Sequence, residues 1–233
     1  MPPGIHVVHR EGEAPAPLGP NPSQGRFPRW SADGRRLAFY SSRRGTAAET
    51  FVVGSDGTGL TQLTEWVDSG SGVFPQWSPD GSKILTATGV RYGGTLYLFD
   101  VDTPWSRQSF DTLPSPPGDP ELRYRPWSWS PDGRWLATYS ERGAGLALFN
   151  FDSRRWEIVT GSGERPRWLS DSRRLVYSDG GRLFLFDLRI RRPQEVYSLP
   201  GYRLVAVDPG PGDSALYFIA RREAGDVWMA RVR

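Results

Sequence analysis

The sequence predicts an all-β fold assembled from repeated four-stranded antiparallel units, and three observations lead there. First, 27 Gly and 21 Pro are spread through 233 residues. Few stretches escape a residue that breaks regular elements, which favours many short strands and turns over long helices. Second, a tryptophan-led segment recurs along the chain. Third, apolar runs of strand length follow each recurrence, and ten Trp supply rings large enough to fill the gaps between packed sheets.

The recurring segment begins as Phe27-Pro28-Arg29-Trp30-Ser31-Ala32-Asp33-Gly34. It returns as Phe74-Pro75-Gln76-Trp77-Ser78-Pro79-Asp80-Gly81, as Trp129-Ser130-Pro131-Asp132-Gly133, and more loosely as Pro166-Arg167-Trp168-Leu169-Ser170-Asp171-Ser172. The tryptophans are 47, 52 and 39 residues apart, bracketing the roughly 40–50 residues of a propeller blade. Ser-Pro-Asp-Gly suits a tight turn: proline pre-sets φ, aspartate can accept nearby backbone N–H groups, and glycine tolerates positive φ. An apolar strand before the turn and an alternating one after it make a β-hairpin.

A third strand follows in each unit: Thr50-Phe51-Val52-Val53, Leu96-Tyr97-Leu98-Phe99, Leu146-Ala147-Leu148-Phe149 and Leu183-Phe184-Leu185-Phe186. A more polar fourth strand, such as Leu60 to Thr64 or Trp156 to Thr160, suits a solvent-facing edge. A degenerate fifth unit reads as Leu204 to Val207, Ala215 to Ile219 and Asp226 to Ala230. The prediction is a β-propeller of about five four-stranded blades, or six if the chain is truncated. It forms one domain over 1–233, with repeats at about 27–64, 74–112, 126–160, 166–198 and 203–232. Residues 5–19 match half a blade. Either they complete the last blade and close the ring, or the chain begins in mid-blade.

Charge and composition narrow the function classes. The net charge is +3, Lys83 is the only lysine, and the arginines are scattered among carboxylates. A phosphate-tracking surface would show a basic block, so a nucleic-acid partner is not expected. Cysteine is absent, which removes disulfides and thiolate metal sites. No apolar run reaches membrane-spanning length, and the first ten residues lack the pattern of a signal peptide.

The repeats resemble the WD40-like propeller repeats of the bacterial TolB type, whose hallmark is the Trp-Ser-Pro-Asp-Gly turn. The resemblance covers about residues 27–232, without that family's signal peptide and N-terminal α/β domain. It is nearer to the C-terminal propellers of bacterial receptor-like kinases and winged-helix regulators, which commonly end as Gly225-Asp226-Val227-Trp228-Met229 does here. It implies a sensing or docking module in a regulatory or envelope protein, in a periplasmic or other extracytoplasmic setting.

Catalytic and metal chemistry find little footing. His6 and His9 are the only histidines, and no Gly-x-Ser-x-Gly elbow exists to complete a serine hydrolase triad. Three residues apart on a strand, the two histidines point to opposite faces, so no metal site is expected. Asp33, Asp80, Asp132 and Asp171 share one repeat position, which marks them as turn residues rather than a glycosidase pair. No cofactor, metal or catalytic residue is therefore expected, and the chain is expected to act as a monomer.

Binding is expected where the repeats differ. Turns between strands one and two, and three and four, fall on one face. They carry Arg35, Arg36, Lys83, Arg134, Arg173 and Arg174, which form either a basic ring for an acidic partner or solvated hairpin ends. The other face collects the longer connections. There Trp66, Tyr92 and Tyr124 with Arg43, Arg91, Arg142 and Arg221 have the aromatic-plus-arginine character of interface hot spots. They are expected to hold a protein partner or small ligand, the alternative being that the rings fill blade junctions. The expected role is a non-catalytic scaffold for interaction or sensing. The alternative is the accessory, substrate-gating propeller of a prolyl-oligopeptidase-type hydrolase.

Overall fold

The computed structural model describes residues 5–7, 14, 16–18, 25–42, 48–66, 72–88, 94–118, 124–140, 142–222 and 227–232. Two compact units, Met1–Pro114 and Ser115–Arg233, are described in turn.

In the first unit, β1 (His6–Val7) and β2 (Ala16–Pro17) form a two-stranded ladder. Two four-stranded antiparallel sheets follow. Sheet 1 runs β3 (Arg26–Trp30), β4 (Arg36–Ser42), β5 (Ala48–Gly54), β6 (Thr61–Gln62). Sheet 2 runs β7 (Val73–Trp77), β8 (Lys83–Ala87), β9 (Leu96–Asp100), β10 (Asp111–Thr112). Side chains alternate across a strand, so each middle strand faces two apolar layers. Ala38 and Val52 join Leu63, Trp77, Ile84, Phe99 and Val101 between the two sheets. Leu37, Phe39, Phe51 and Val53 face the other way and are covered by Ile5 and Leu18 beside the β1–β2 ladder.

The second unit repeats the pattern. Sheet 3 holds β11 (Tyr124–Trp129), β12 (Trp135–Ser140), β13 (Leu146–Asn150) and β14 (Arg155–Ile158). Sheet 4 holds β15 (Glu164–Trp168), β16 (Arg174–Asp179), β17 (Arg182–Asp187) and β18 (Pro193–Ser198). Sheet 5 holds β19 (Tyr202–Pro209), β20 (Leu216–Arg222) and β21 (Val227–Val232). Leu146, Ala147, Leu148 and Phe149 are all fully buried, which accounts for an unbroken apolar run in place of alternation. Leu169, Val176, Leu183, Leu204, Val207 and Phe218 pack sheet 4 against sheet 5.

The four repeat tryptophans all end the first strand of their sheets, opposite Leu37, Ile84, Leu136 and Leu175. Each first strand also carries a feature that the residue pattern did not predict. A β-bulge interrupts the register at Arg26/Arg29, Val73/Gln76, Pro126/Ser128, Glu164/Arg167 and Leu204/Ala206. A proline sits in or beside the first four bulges, where its missing N–H costs no ladder bond. Phe27, Phe74 and Arg165, each directly before a proline, adopt φ of 51°, 56° and 54°. The bulges leave nearby carbonyls to neighbouring sheets. Trp77 Nε1–H donates to Arg29 O at 2.9 Å, Ser128 Oγ–H to Pro166 O at 2.6 Å, and Arg165 Nη1–H to Val205 O at 2.5 Å.

Candidate functional site

Each sheet has two ends, and the hairpin turns occupy one of them. In sheet 1 the Ser31 hydroxyl donates to Asp33 at 2.6 Å and accepts the Arg36 N–H at 2.9 Å, while Asp33 also accepts the Arg35 N–H. Ser78–Asp80 in sheet 2 and Ser130–Asp132 in sheet 3 repeat this network. The serine hydroxyl, then the backbone N–H, holds the Asp33 and Asp80 carboxyls below their ordinary range. In sheet 4 Leu169 replaces the serine and Ser172 takes the glycine position at φ 57°. Asp171 there accepts the Arg173 and Arg174 N–H groups instead. The repeat aspartates are thus engaged in turn geometry.

Several of the cations beside these turns are matched by carboxylates at or just beyond the ends of third strands. Arg36 reaches Asp102 at 3.2 Å, Lys83 reaches Asp100 at 2.9 Å, Arg134 reaches Asp152 at 2.7 Å and Arg173 reaches Asp187 at 3.1 Å. Arg36 also lies 4.9 Å over the Trp77 ring and donates to Gly81 O. Arg36, Lys83, Arg134 and Arg173 thus stand as paired hairpin ends.

The opposite end carries the long connections. In the first unit Trp66 follows β6, and its ring contacts Tyr97 and Trp105 at 4.9 Å and Phe110 at 6.2 Å. The Trp66 N–H donates to Glu49 Oε1 at 3.0 Å, and the Thr64 hydroxyl donates to Glu49 Oε2. Burial pushes the Glu49 carboxyl up despite these two donors. Trp66 therefore caps the outer part of sheet 2. Trp105 and Phe110, which the sequence did not single out, belong to the same aromatic group; they come from the Val101–Phe110 connection between β9 and β10, at the turn end of sheet 2, and the length of that connection was the available signal. Arg43, Arg91 and Tyr92 lie outside the described residues.

In the second unit Tyr124 begins β11 opposite Ser140, and Arg142 lies two residues beyond Ser140. Tyr124 is half-buried, and that burial raises its hydroxyl pKa. Arg142 is exposed, its N–H donating to Ser140 Oγ at 3.2 Å. Arg221 is exposed near the end of β20, opposite Arg203 in the β19 register. Arg203 pairs with Glu164, and Arg222 lies 6.0 Å over the Tyr202 ring. The structure therefore sets Tyr124 with Arg142 at one end of sheet 3, and Arg221 with further arginines at the same end of sheet 5. Among the described residues no three metal-ligating side chains converge, and no helix is long and apolar enough to cross a membrane.

Bulged, tryptophan-ended inner strands packed sheet upon sheet define the class: this is a TolB-like β-propeller fold. Solved structures share this fold. TolB from Acinetobacter baumannii matches 97% of the chain with a TM-score of 0.72 at 16% identity. A prolyl endopeptidase matches 97% at 0.63 and 17%, and an oligogalacturonate lyase in complex with manganese matches 87% at 0.65 and 14%. The chain spans 56%, 37% and 60% of these proteins, respectively. No family model and no curated protein matches the sequence. None of the three structures is a kinase or a winged-helix regulator.

Proposed function

We propose that the chain is a non-catalytic propeller scaffold that binds a protein partner or small ligand at its long-connection end, as a module of a bacterial regulatory or envelope protein. The observation that carries this reading is the contrast between the two ends of the sheets. At the turn end the same residue types recur from sheet to sheet, while the other end presents Tyr124, Arg142 and Arg221, which occur once each. Rigid scaffolds carry recognition on the connections that vary. Arg43, Arg91 and Tyr92 belong to the proposed surface by their place in the sequence, and Trp66 serves as the anchor of its connection. The test is a peptide-display library panned on the purified chain. Peptides enriched there should lose about tenfold or more in affinity for the Tyr124→Ala/Arg142→Ala/Arg221→Ala variant. Unchanged affinity would overturn the assignment.

The likeness to a prolyl endopeptidase supports a second reading, an accessory propeller that gates a hydrolase. An α/β-hydrolase in the same reading frame would favour it, and a kinase or winged-helix segment would favour the first.

A further inference from the structure

Sheet 2 departs from its neighbours in the connection between its third and fourth strands. In sheet 3 four residues separate β13 from β14; in sheet 2 the ten residues Val101–Phe110 separate β9 from β10 and include a short 3-10 turn, Trp105–Arg107. Gln108 holds this connection in shape. Its side-chain carbonyl accepts the Asp100 N–H at 3.2 Å, and its amide N–H donates to Thr103 O at 2.6 Å. The Trp105 ring is fixed against Trp66 and Phe110 at 4.9 and 4.7 Å. Between the connection and the outer strand of sheet 1 lies a groove of about 480 Å³. Buried Leu63 and Val101, with Pro104 and Trp105, make its apolar lining.

The polar groups of the groove are open in both directions. Among the described residues the Thr103 and Ser106 hydroxyls and the Trp105 indole N–H have no acceptor, and the exposed Glu65 carboxylate has no donor. Gln62 gives one amide N–H to Thr64 O at 2.8 Å and keeps its carbonyl. Asp102 meets Arg36 at 3.2 Å through one oxygen. The lining therefore holds two carboxylates, one of them matched from outside, and no cation.

We propose that this groove binds a neutral oligosaccharide. A hydroxyl both donates and accepts, so a sugar uses the free donors and the free acceptors together. An anion would meet Glu65 and Asp102 with no cation in the lining, and a cation would engage the carboxylates while leaving the hydroxyls and the indole N–H aside. The C–H face of a sugar ring is apolar and packs on an indole. Trp105 offers that surface already fixed in place, so little freedom is lost on binding. The volume falls within the range of small-ligand sites. The proposal uses none of Tyr124, Arg142 and Arg221, and it stands separately from the function proposed for them.

An array of neutral oligosaccharides built from glucose, galactose, mannose and N-acetylglucosamine, with oligouronates as anionic controls, tests the proposal on the whole chain. Binding to a neutral member and none to the oligouronates is expected. Calorimetric titration with the best array ligand then locates the site. Trp105→Ala and Glu65→Ala should each weaken binding about tenfold or more, and Thr103→Val about threefold. Trp105 packs in an aromatic group, so circular dichroism checks that its variant folds; Glu65 is exposed, and its variant keeps the test decisive if Trp105→Ala does not fold. The Tyr124→Ala/Arg142→Ala/Arg221→Ala variant should bind the same ligand as the parent does, which separates the two sites. Three results overturn the proposal: no saturable binding of a neutral oligosaccharide up to about 10 mM, well above the range typical of specific small-ligand sites; tighter binding of an oligouronate or of tetramethylammonium; or parental affinity in Glu65→Ala.

Discussion

The two ends of sheet 3 contain glycines of the same backbone class in different surroundings. Gly133, in the Ser-Pro-Asp-Gly turn, has φ 77° and open space where a Cβ would stand. Gly145, before β13 at the other end, has φ 80°, and a Cβ there would lie 2.1 Å from the Thr160 carbonyl oxygen. At the turn end glycine answers a local conformational need. At the long-connection end it answers close packing between chain segments as well. The turn end is set by short-range rules and repeats; the other end is set by contacts that differ from sheet to sheet.

That comparison can be broken by substitution. Gly145→Ala should cost about 3 kcal/mol or more, adding steric overlap to the left-handed backbone, read as a lowered midpoint in urea unfolding followed by tryptophan fluorescence. Ser130→Ala should cost about 2 kcal/mol, because the fully buried hydroxyl serves both Asp132 and the Trp135 N–H, and differential scanning calorimetry should show the loss. Gly133→Ala should cost only about 1 kcal/mol, the backbone contribution alone. If it matched Gly145→Ala, the distinction between the two ends would be wrong.

Two smaller effects sharpen the same contrast. Tyr177, in β16 of sheet 4, has its hydroxyl pKa pushed up to about 12 by burial and then by Asp179. A raised folded pKa means its contribution is intact below the unfolded value of 10.0 and is lost as pH rises towards 12. Tyr177→Phe should therefore flatten the loss of stability in that alkaline window, as thermal melts across pH would show. Arg134→Met, which removes an exposed ion pair to Asp152, should leave the melting temperature unchanged within error.

Much of the fold was legible because its signals are local. Ser31, Asp33 and Gly34 need nothing beyond five residues to form their turn, and the apolar run Leu146 to Phe149 marks a strand buried on both faces. The inner-strand bulges were not legible. Phe27, Phe74 and Arg165 precede prolines, which ordinarily favours an extended backbone, yet each takes positive φ. Of the candidate residues, Tyr124, Arg142 and Arg221 are proposed on residue type and place in the chain, while Trp66 is held in an aromatic group with Tyr97, Trp105 and Phe110.

Trp30 and Trp77 stand at the same place in nearly the same motif, but Trp30 is 46% exposed and Trp77 is 7% exposed beneath Arg36. By itself the sequence determined the turns, the strand pattern and hence the propeller class, because turn hydrogen bonds and side-chain alternation act over a few residues. Only the tertiary structure decided which rings are buried and which cations are neutralised. Burial and Coulomb energy depend on neighbours brought from distant parts of the chain, and no local motif encodes them.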